Sequence, residues 1–396
     1  MNDANAMLSF AQPSVDWLDG VLLSYHVNIV SNCLNCTLSI VEYTPQLNDR
    51  PQTFVLGTNF IGSIGVLPMR TTRWALRLTG VNTNRDIACA DITVNQPQGP
   101  LPDGQRDVTI SNNTVADLRT FAHAVQTPGA TIRIAGDAEL NLSGLDELPL
   151  APGVKILGDR RVHPKGPRLY TTTFPHALFV IPPASGSHER ISGLRLDGGE
   201  PGDPFDNLGD EDADGIRVQK ADVEVDHNEI YRWRGSGITV MDGDSERDLI
   251  NKSNASTVSI HDNYIHHNQH PAGDICCGHA GGYGVQTIHG AYAMVTHNVF
   301  TGNRHAIAGD GRPGTGYFFQ GNLITDGGGV HSRYAYTHQI DMHGFGGDCS
   351  AFECGQGGEY EDVEFNTVWY SDGLALKLRG TPSQRMDVKH NAFFHG

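Results

Sequence analysis

From about residue 190 onward, short runs of alternating apolar and polar residues recur around one fixed mark. VEVDHNEI, VSIHDNYI, MVTHNVF, YFFQGNLI, DVEFNTV and DVKHNAF share the form apolar-x-apolar-x-x-Asn-x-apolar. The shared residues are Asn228, Asn263, Asn298, Asn322, Asn366 and Asn391. Three positions earlier sit Val225, Ile260, Val295, Phe319, Val363 and Val388, and two later Ile230, Ile265, Phe300, Ile324, Val368 and Phe393. Strand side chains alternate between faces, so these apolar residues share the core side. Asn suits a left-handed turn and bonds to nearby backbone, so stacked turns predict an asparagine ladder. A second half-repeat ends in Gly: SGITVMDG, YGVQTIHG, HAIAGDG, HQIDMHG and GLALKLRG. Aligned on Gly243, Gly290, Gly311, Gly344 and Gly380, the mostly apolar parity is Met241, Ile288, Gly309, Met342 and Leu378 with Thr239, Gln286, Ile307, Ile340 and Leu376. That parity is expected to face inward and the other outward.

Upstream, ADLRTFAHAV (116–125) has the period of an amphipathic helix, stopped by Pro128-Gly129, before ATIRIAG begins a strand. A helix there would cover the first rung of a solenoid, otherwise an open edge. Residues 17–97 carry short alternating stretches, GVLLSYHVNI, CTLSIVEY, QTFVLG, RWALRLTGV and CADITVNQ, with turn residues between them. They predict a small antiparallel β-sandwich of about seven strands that resembles immunoglobulin-like or fibronectin-like modules. GPLPDGQ (99–105) reads as a linker. The expected organisation is all-β: a sandwich over 1–98, a linker over 99–106, and a right-handed parallel β-helix over 107–396.

The outward parity carries the candidate chemistry. One position before the Gly lie Asp242, His289, Asp310, His343 and Arg379; three before lie Val240, Thr287, Ala308, Asp341 and Lys377. Rungs stack about 4.8 Å apart, so His289, Asp310 and His343 are expected in a column, with Asp341 beside them and Lys377 and Arg379 one rung further. Two carboxylates and two imidazoles so placed fit a divalent metal or an acid–base pair. A cation near Lys377 would favour its neutral amine. The same spacing also fits a solvated ladder of opposite charges. His305 and His338, six before the Gly, are placed inward or at a corner and reach the patch only where the backbone bends; a two-His-one-carboxylate site then becomes available. His227, His297 and His390 precede ladder asparagines and read as turn residues. The region around HHNQHPAGDICCGH offers His261, His266, His267, His270 and His279 with Cys276 or Cys277 to a transition metal, whereas the acidic run 207–215 lacks EF-hand spacing.

A net charge of −17 over 396 residues argues against a nucleic-acid partner. It also disfavours a strongly anionic polymer unless a divalent cation intervenes. No apolar run reaches the roughly 18–20 residues of a membrane span. The opening MNDANAMLSFAQPSVDW has no signal-peptide pattern, and NAFFHG ends within a rung, so further chain is expected beyond it. Cys33 and Cys36 form a CLNC pair, and Cys349, Cys354, Cys276 and Cys277 lie in Gly-rich loops. Disulfides there would suit an exported protein; free thiols would suit a reducing compartment.

Over residues 282–382 the phrases HAIAGDGRPGTGY, HQIDMHG, GGEY and LKLRGTP resemble a group of bacterial right-handed β-helix repeat proteins. The resemblance marks Asp310, Arg312, Asp341, His343, Glu359 and Arg379 without naming a reaction. The wider pectate-lyase-like superfamily implies cleavage or modification of polysaccharides along an outward groove. Its calcium-assisted lyases use a Lys base with Arg nearby; Lys377 and Arg379 are similar in kind but share one strand. The leading expectation is a secreted or cell-surface carbohydrate-active enzyme, lyase or hydrolase, acting as a single chain on a polysaccharide. Asp310, Asp341, His343, Lys377 and Arg379 would be catalytic, and Arg312 and Glu359 would bind substrate. The metal, Ca or Zn or another transition metal, would lie among His289, Asp310, Asp341, His343, His305 and His338. The alternatives are a His/Asp transition-metal enzyme of another class, and a non-catalytic glycan-binding adhesin.

Overall fold

The structure, a computed structural model, describes residues 5–28, 36–43, 53–57, 61–68, 71–80, 83–160, 165–183, 188–199, 213–241, 258–269, 281–327, 338–347, 354–369 and 373–394. The chain divides into two compact units, Met1–Pro97 and Gln98–Gly396.

In the first unit, Asn5–Phe10, Val21–Asn28 and Ile61–Val66 form an antiparallel sheet. A second sheet orders Ser14–Asp16, Thr83–Asn95, Thr72–Gly80, Thr37–Tyr43 and Thr53–Gly57, antiparallel except where Ser14–Asp16 joins it. Phe10 of one sheet meets Trp74 of the other with ring centroids 6.4 Å apart. Trp17, Leu23, Leu38 and Ile40 are buried beside them. Cys36 is disulfide-bonded and Cys89 is an exposed thiol.

The second unit opens with Asp107–Ile110 and the helix Val115–Ala124. The Thr114 side chain caps the helix by accepting from the Asp117 amide at 3.1 Å. Its apolar face turns Phe121 onto Phe179, 6.2 Å between ring centroids. From there the chain visits three parallel sheets in strict rotation. Among the described residues these hold ten, nine and eight strands. This topology is compatible with a β-helix. In the first sheet Ile156, Ile191, Val225, Ile260, Val295, Phe319 and Val363 pair in register and are fully buried. In the second Leu169, Leu196, Ile230, Ile265, Phe300, Ile324 and Val368 do the same. From Val225 and Ile230 onward these are the apolar positions flanking each repeat asparagine.

The asparagines stack between the first two sheets, and each serves backbone two ways. Asn298 Oδ1 accepts from the Asn263 amide at 2.9 Å, while Asn298 Nδ2 donates to the Ile260 carbonyl at 2.9 Å and to Asn322 Oδ1 at 3.2 Å. The same pattern runs from Asn228 to Asn391. Each asparagine follows a residue in the left-handed region: His227, Asp262, His297, Phe365 and His390 have φ between 55° and 58°, and Gly321 has 65°. That conformation costs a non-glycine residue about 1–3 kcal/mol, which the ladder bonds offset. His227, His297 and His390 are therefore turn residues. A second, shorter ladder at the next turn joins Trp233, Asn268 and Asn303.

Replacing Asn298 by Ala would leave the Asn263 amide buried without its acceptor and take one donor from the Ile260 carbonyl. At about 1–3 kcal/mol for the orphaned amide, Asn298→Ala is expected to lower unfolding free energy by about 1–3 kcal/mol. Urea titration checks it; a loss below about 0.5 kcal/mol, the scale of an ordinary surface substitution, would count against the ladder as a structural support.

Candidate functional site

The third sheet positions the cluster. Ala308, Asp341 and Lys377 pair in register, as do Gly309, Met342 and Leu378. Ile340 and Met342 point inward and are fully buried, so alternation aims Asp341 outward. One rung earlier the terminal-Gly alignment shifts by a residue. Gln286, not Thr287, pairs with Ala308, and Thr287 pairs with Gly309. Val240 and Thr287 are consequently buried on the core side, whereas Met241, Gln286 and Ile288 are half-buried on the other. The reason is strand length: Tyr283–Ile288 has six residues before its turn and His305–Gly309 has five.

A bend brings His305 round to the outward side. The Gln339 carbonyl accepts from both Ala306 and Ile307 amides, at 2.8 and 3.2 Å, and Ala306 and Ile307 are both fully buried. Strict alternation is lost there, as at a bulge. The His305 ring stacks between Tyr283, 5.3 Å away, and His338, 4.4 Å away. Its Nδ1 bonds the His338 carbonyl, which can only accept, so Nδ1 carries the proton. Burial, with the Arg304 and His338 charges, holds its pKa well below the usual imidazole value despite Asp341, so the ring is neutral. Its Nε2 is then a lone pair, buried, without a hydrogen-bond partner, and 4.0 Å from Asp341 Oδ2.

Asp341 is the hub and its side chain is fully buried. Oδ1 lies 3.0 Å from His338 Nε2 and 3.2 Å from Arg379 Nε; Oδ2 lies 2.9 Å from His343 Nε2 and takes the second Arg379 nitrogen. Burial alone would raise this carboxyl's pKa. The His338 and His343 hydrogen bonds outweigh burial and hold it well below the usual carboxylate range. His305, His338 and Asp341 each offer a ligand atom within 4.8 Å of the others and could hold a metal ion. His343, the most exposed imidazole of the group, and His338 form its outer side.

The remaining sequence candidates are placed differently. Asp310 braces its own turn: Oδ2 accepts from the His289 amide at 2.8 Å, and Oδ1 from the Arg312 amide and Thr315 hydroxyl at 3.0 and 2.8 Å. His289 thus meets Asp310 through backbone, with its ring exposed at φ 56°. His343 shares Asp341, so the column of His289, Asp310 and His343 is not built from side chains. Gly311 lets the adjoining turns close up, since a Cβ there would run into the His343 carbonyl. Arg312 pairs with Asp310 at 3.4 Å and lies 5.2 Å over Phe345. Glu359 is half-buried and its backbone bonds Thr315, Gln384 and Arg385. Cys354 is disulfide-bonded. Asp242, His270, His279, Cys33, Cys276, Cys277, Cys349 and acidic residues 207–212 lie outside the described residues. No protein-family model, curated protein or solved structure matches the chain. The likeness to β-helix repeat proteins therefore rests on the quoted phrases and the sheet topology.

Two groups carried no notice in the sequence reading. Asp362, Glu364 and Asp387 bring three carboxylates within reach of one cation, but Arg385 and Lys389 already pair with them. Glu361 pairs in register with Tyr317, on the inward parity, where both carboxyl oxygens are buried without partners. Parity marks it out: two before the recurring apolar position the six repeats read Val223, Val258, Ala293, Tyr317, Glu361 and Met386. Burial pushes its pKa up to about 8. Tyr317 beside it donates to the Asp341 carbonyl at 3.0 Å, so this carboxyl lies in the core behind the cluster strand.

The unfolded chain ionises Glu361 near pH 4.5, whereas the folded chain resists until about 8. Folding thus loses stability as pH rises between those values and is level above the upper one, by a few kcal/mol at about 1.4 kcal/mol per unit. Glu361→Gln cannot ionise, so its stability relative to wild type should climb between pH 4.5 and pH 8 in paired melts. A difference independent of pH would show that Glu361 is already charged in the fold.

Proposed function

We propose that this protein is a transition-metal-dependent enzyme, hydrolytic or oxidative, whose metal is held by His305, His338 and Asp341. We read the second unit as a right-handed parallel β-helix and the first as an immunoglobulin-like or fibronectin-like sandwich. The observation that carries the reading is His305 Nε2, a buried lone pair with no donor, 4.0 Å from a carboxylate oxygen. Two acceptors facing each other in a buried site are costly, and a cation between them removes the cost. The bond from His305 Nδ1–H to the His338 carbonyl is the outer-shell support that metal-binding imidazoles use.

Two imidazoles and one carboxylate suit Zn, Fe, Mn or Cu better than calcium, which takes six to eight oxygens. Calcium-assisted lyase chemistry is correspondingly disfavoured. A two-carboxylate hydrolase is also disfavoured, because Asp310 is committed to its turn and Asp341 to Arg379 and the imidazoles. A metal here would supply Lewis acidity toward a substrate oxygen. Around it, Arg379 and His343 orient the Asp341 carboxylate, and His343, the most exposed imidazole of the group, is placed to exchange a proton with substrate. The open outer face of a stacked sheet fits an extended polymer, and a polysaccharide is the proposed substrate. Disulfides at Cys36 and Cys354 support export.

Purified protein dialysed against Zn(II), Fe(II), Mn(II) or Ca(II) should retain a stoichiometric transition metal and no calcium by elemental analysis. His305→Ala should lose one equivalent, and turnover on a glycan panel should be abolished by chelation and restored by the metal. Full retention by His305→Ala would refute the assignment; a metal bound without turnover would favour a binding module.

A further inference from the structure

Glu361 stands on the inward side of strand Tyr360–Glu364, between Tyr317 on the strand before and Met386 on the strand after. It is 1% exposed, and neither carboxyl oxygen has a hydrogen-bond partner. Two routes lead from it to the third-sheet cluster. One is the Tyr317 phenol, which donates to the Asp341 carbonyl at 3.0 Å. The other is the turn over residues 356–359. A Cβ on Gly358 would lie 3.1 Å from Glu361 Oε1 and 2.7 Å from the Thr315 carbonyl oxygen, so the carboxyl and that carbonyl converge beneath the turn. The turn is tied down by the Gly357 amide donating to the Thr381 carbonyl, Gly358 to Gly311 and Glu359 to Thr315, at 2.9, 2.9 and 2.7 Å. Gly311 packs on the His343 carbonyl, and Gly357 lies against the Arg379 carbonyl. The backbone of two side chains that grip Asp341 thus rests on this turn.

We propose that Glu361 is a proton-controlled latch on the third-sheet cluster: neutral, it lets the turn over residues 356–359 close, and on losing its proton it drives that turn open and loosens His343 and Arg379. The latch stands without the metal; its consequence for the site rests on the metal assignment of His305, His338 and Asp341. A protonated carboxyl can donate to the Thr315 carbonyl after a side-chain rotation, whereas a carboxylate there faces a second acceptor in an apolar enclosure. Among the described residues, the cations of adjoining elements are directed elsewhere. Lys377, Arg385 and Lys389 have the outward parity, Arg379 is bonded to Asp341, and Arg312 pairs with Asp310. The acidic side chains of those elements, Asp341 beyond Tyr317 and Asp310 and Glu359 in the adjoining turns, oppose a further negative charge. Burial alone pushes the Glu361 carboxyl up, to about 8. The closed turn therefore keeps the proton up to that pH, while an opened turn gives it up near 4.5. Opening is favoured about tenfold per pH unit between those values and is level above them.

Amide exchange of the full chain, followed by mass spectrometry from about pH 5.5 to 9 and corrected for the intrinsic rate, reads the opening. In wild type, opening of segments 340–344 and 355–361 should rise about tenfold per pH unit up to pH 8 and then level off. In Glu361→Gln and Glu361→Met it should be flat, and segment 223–230 should be flat in all three. An equal slope in the folded variants, no slope in wild type, or a slope shared by 223–230 would overturn the latch. Zinc release into a chelator should quicken with pH in wild type relative to the same variants; equal release in all three would sever the latch from the site and overturn its regulatory role. If His305→Ala keeps its zinc while the exchange slope is present, the latch stands and the metal assignment fails. If His305→Ala loses zinc and the slope is absent, the latch alone falls.

Discussion

Each outward side chain of the second unit is placed by the vertical register of the rungs, and the asparagine ladder enforces that register. Asn228 through Asn391 each bond an amide and a carbonyl of the preceding rung, so a slip of one residue would strand several buried backbone groups at once. The left-handed residues before them fix where each turn falls. On this frame, residues as distant in sequence as His305 and Arg379 both come within 4.0 Å of the Asp341 carboxylate.

Electrostatics decides what such a meeting is worth. Asp341 is buried and stays ionised only because two imidazoles and a guanidinium surround it. The cluster is then saturated on every side but one, where His305 turns a bare nitrogen toward the carboxylate. Structural ion-pair networks satisfy their members; this one leaves His305 Nε2 without a partner, 4.0 Å from an Asp341 oxygen. Glu361, neutral and unpartnered in the core behind the same strand, is a second departure from ordinary core design close to the cluster. Such departures concentrate at functional sites.

The repeat asparagines and their flanking apolar residues were legible in sequence because one short pattern recurs six times, and averaging over copies removes local noise. Asp341, His343 and Arg379 followed from the same alternation. The column through His289 did not, since the terminal Gly is not at a constant distance from the strand: Tyr283–Ile288 is a residue longer than His305–Gly309. His305 was ambiguous because a bifurcated bond at Gln339, invisible to periodicity, turns it outward. Asp310 looked catalytic by type, but its oxygens bind backbone and hydroxyl groups of its own turn.

The central claim is that the third sheet holds a metal between His305 Nε2 and Asp341. Crystals grown with the native metal and measured across its absorption edge would test it directly. An anomalous peak about 2.0–2.2 Å from His305 Nε2, His338 Nε2 and an Asp341 oxygen is the predicted result. Ordered density without a peak there, with His305 Nε2 bonded to protein or water, would contradict it.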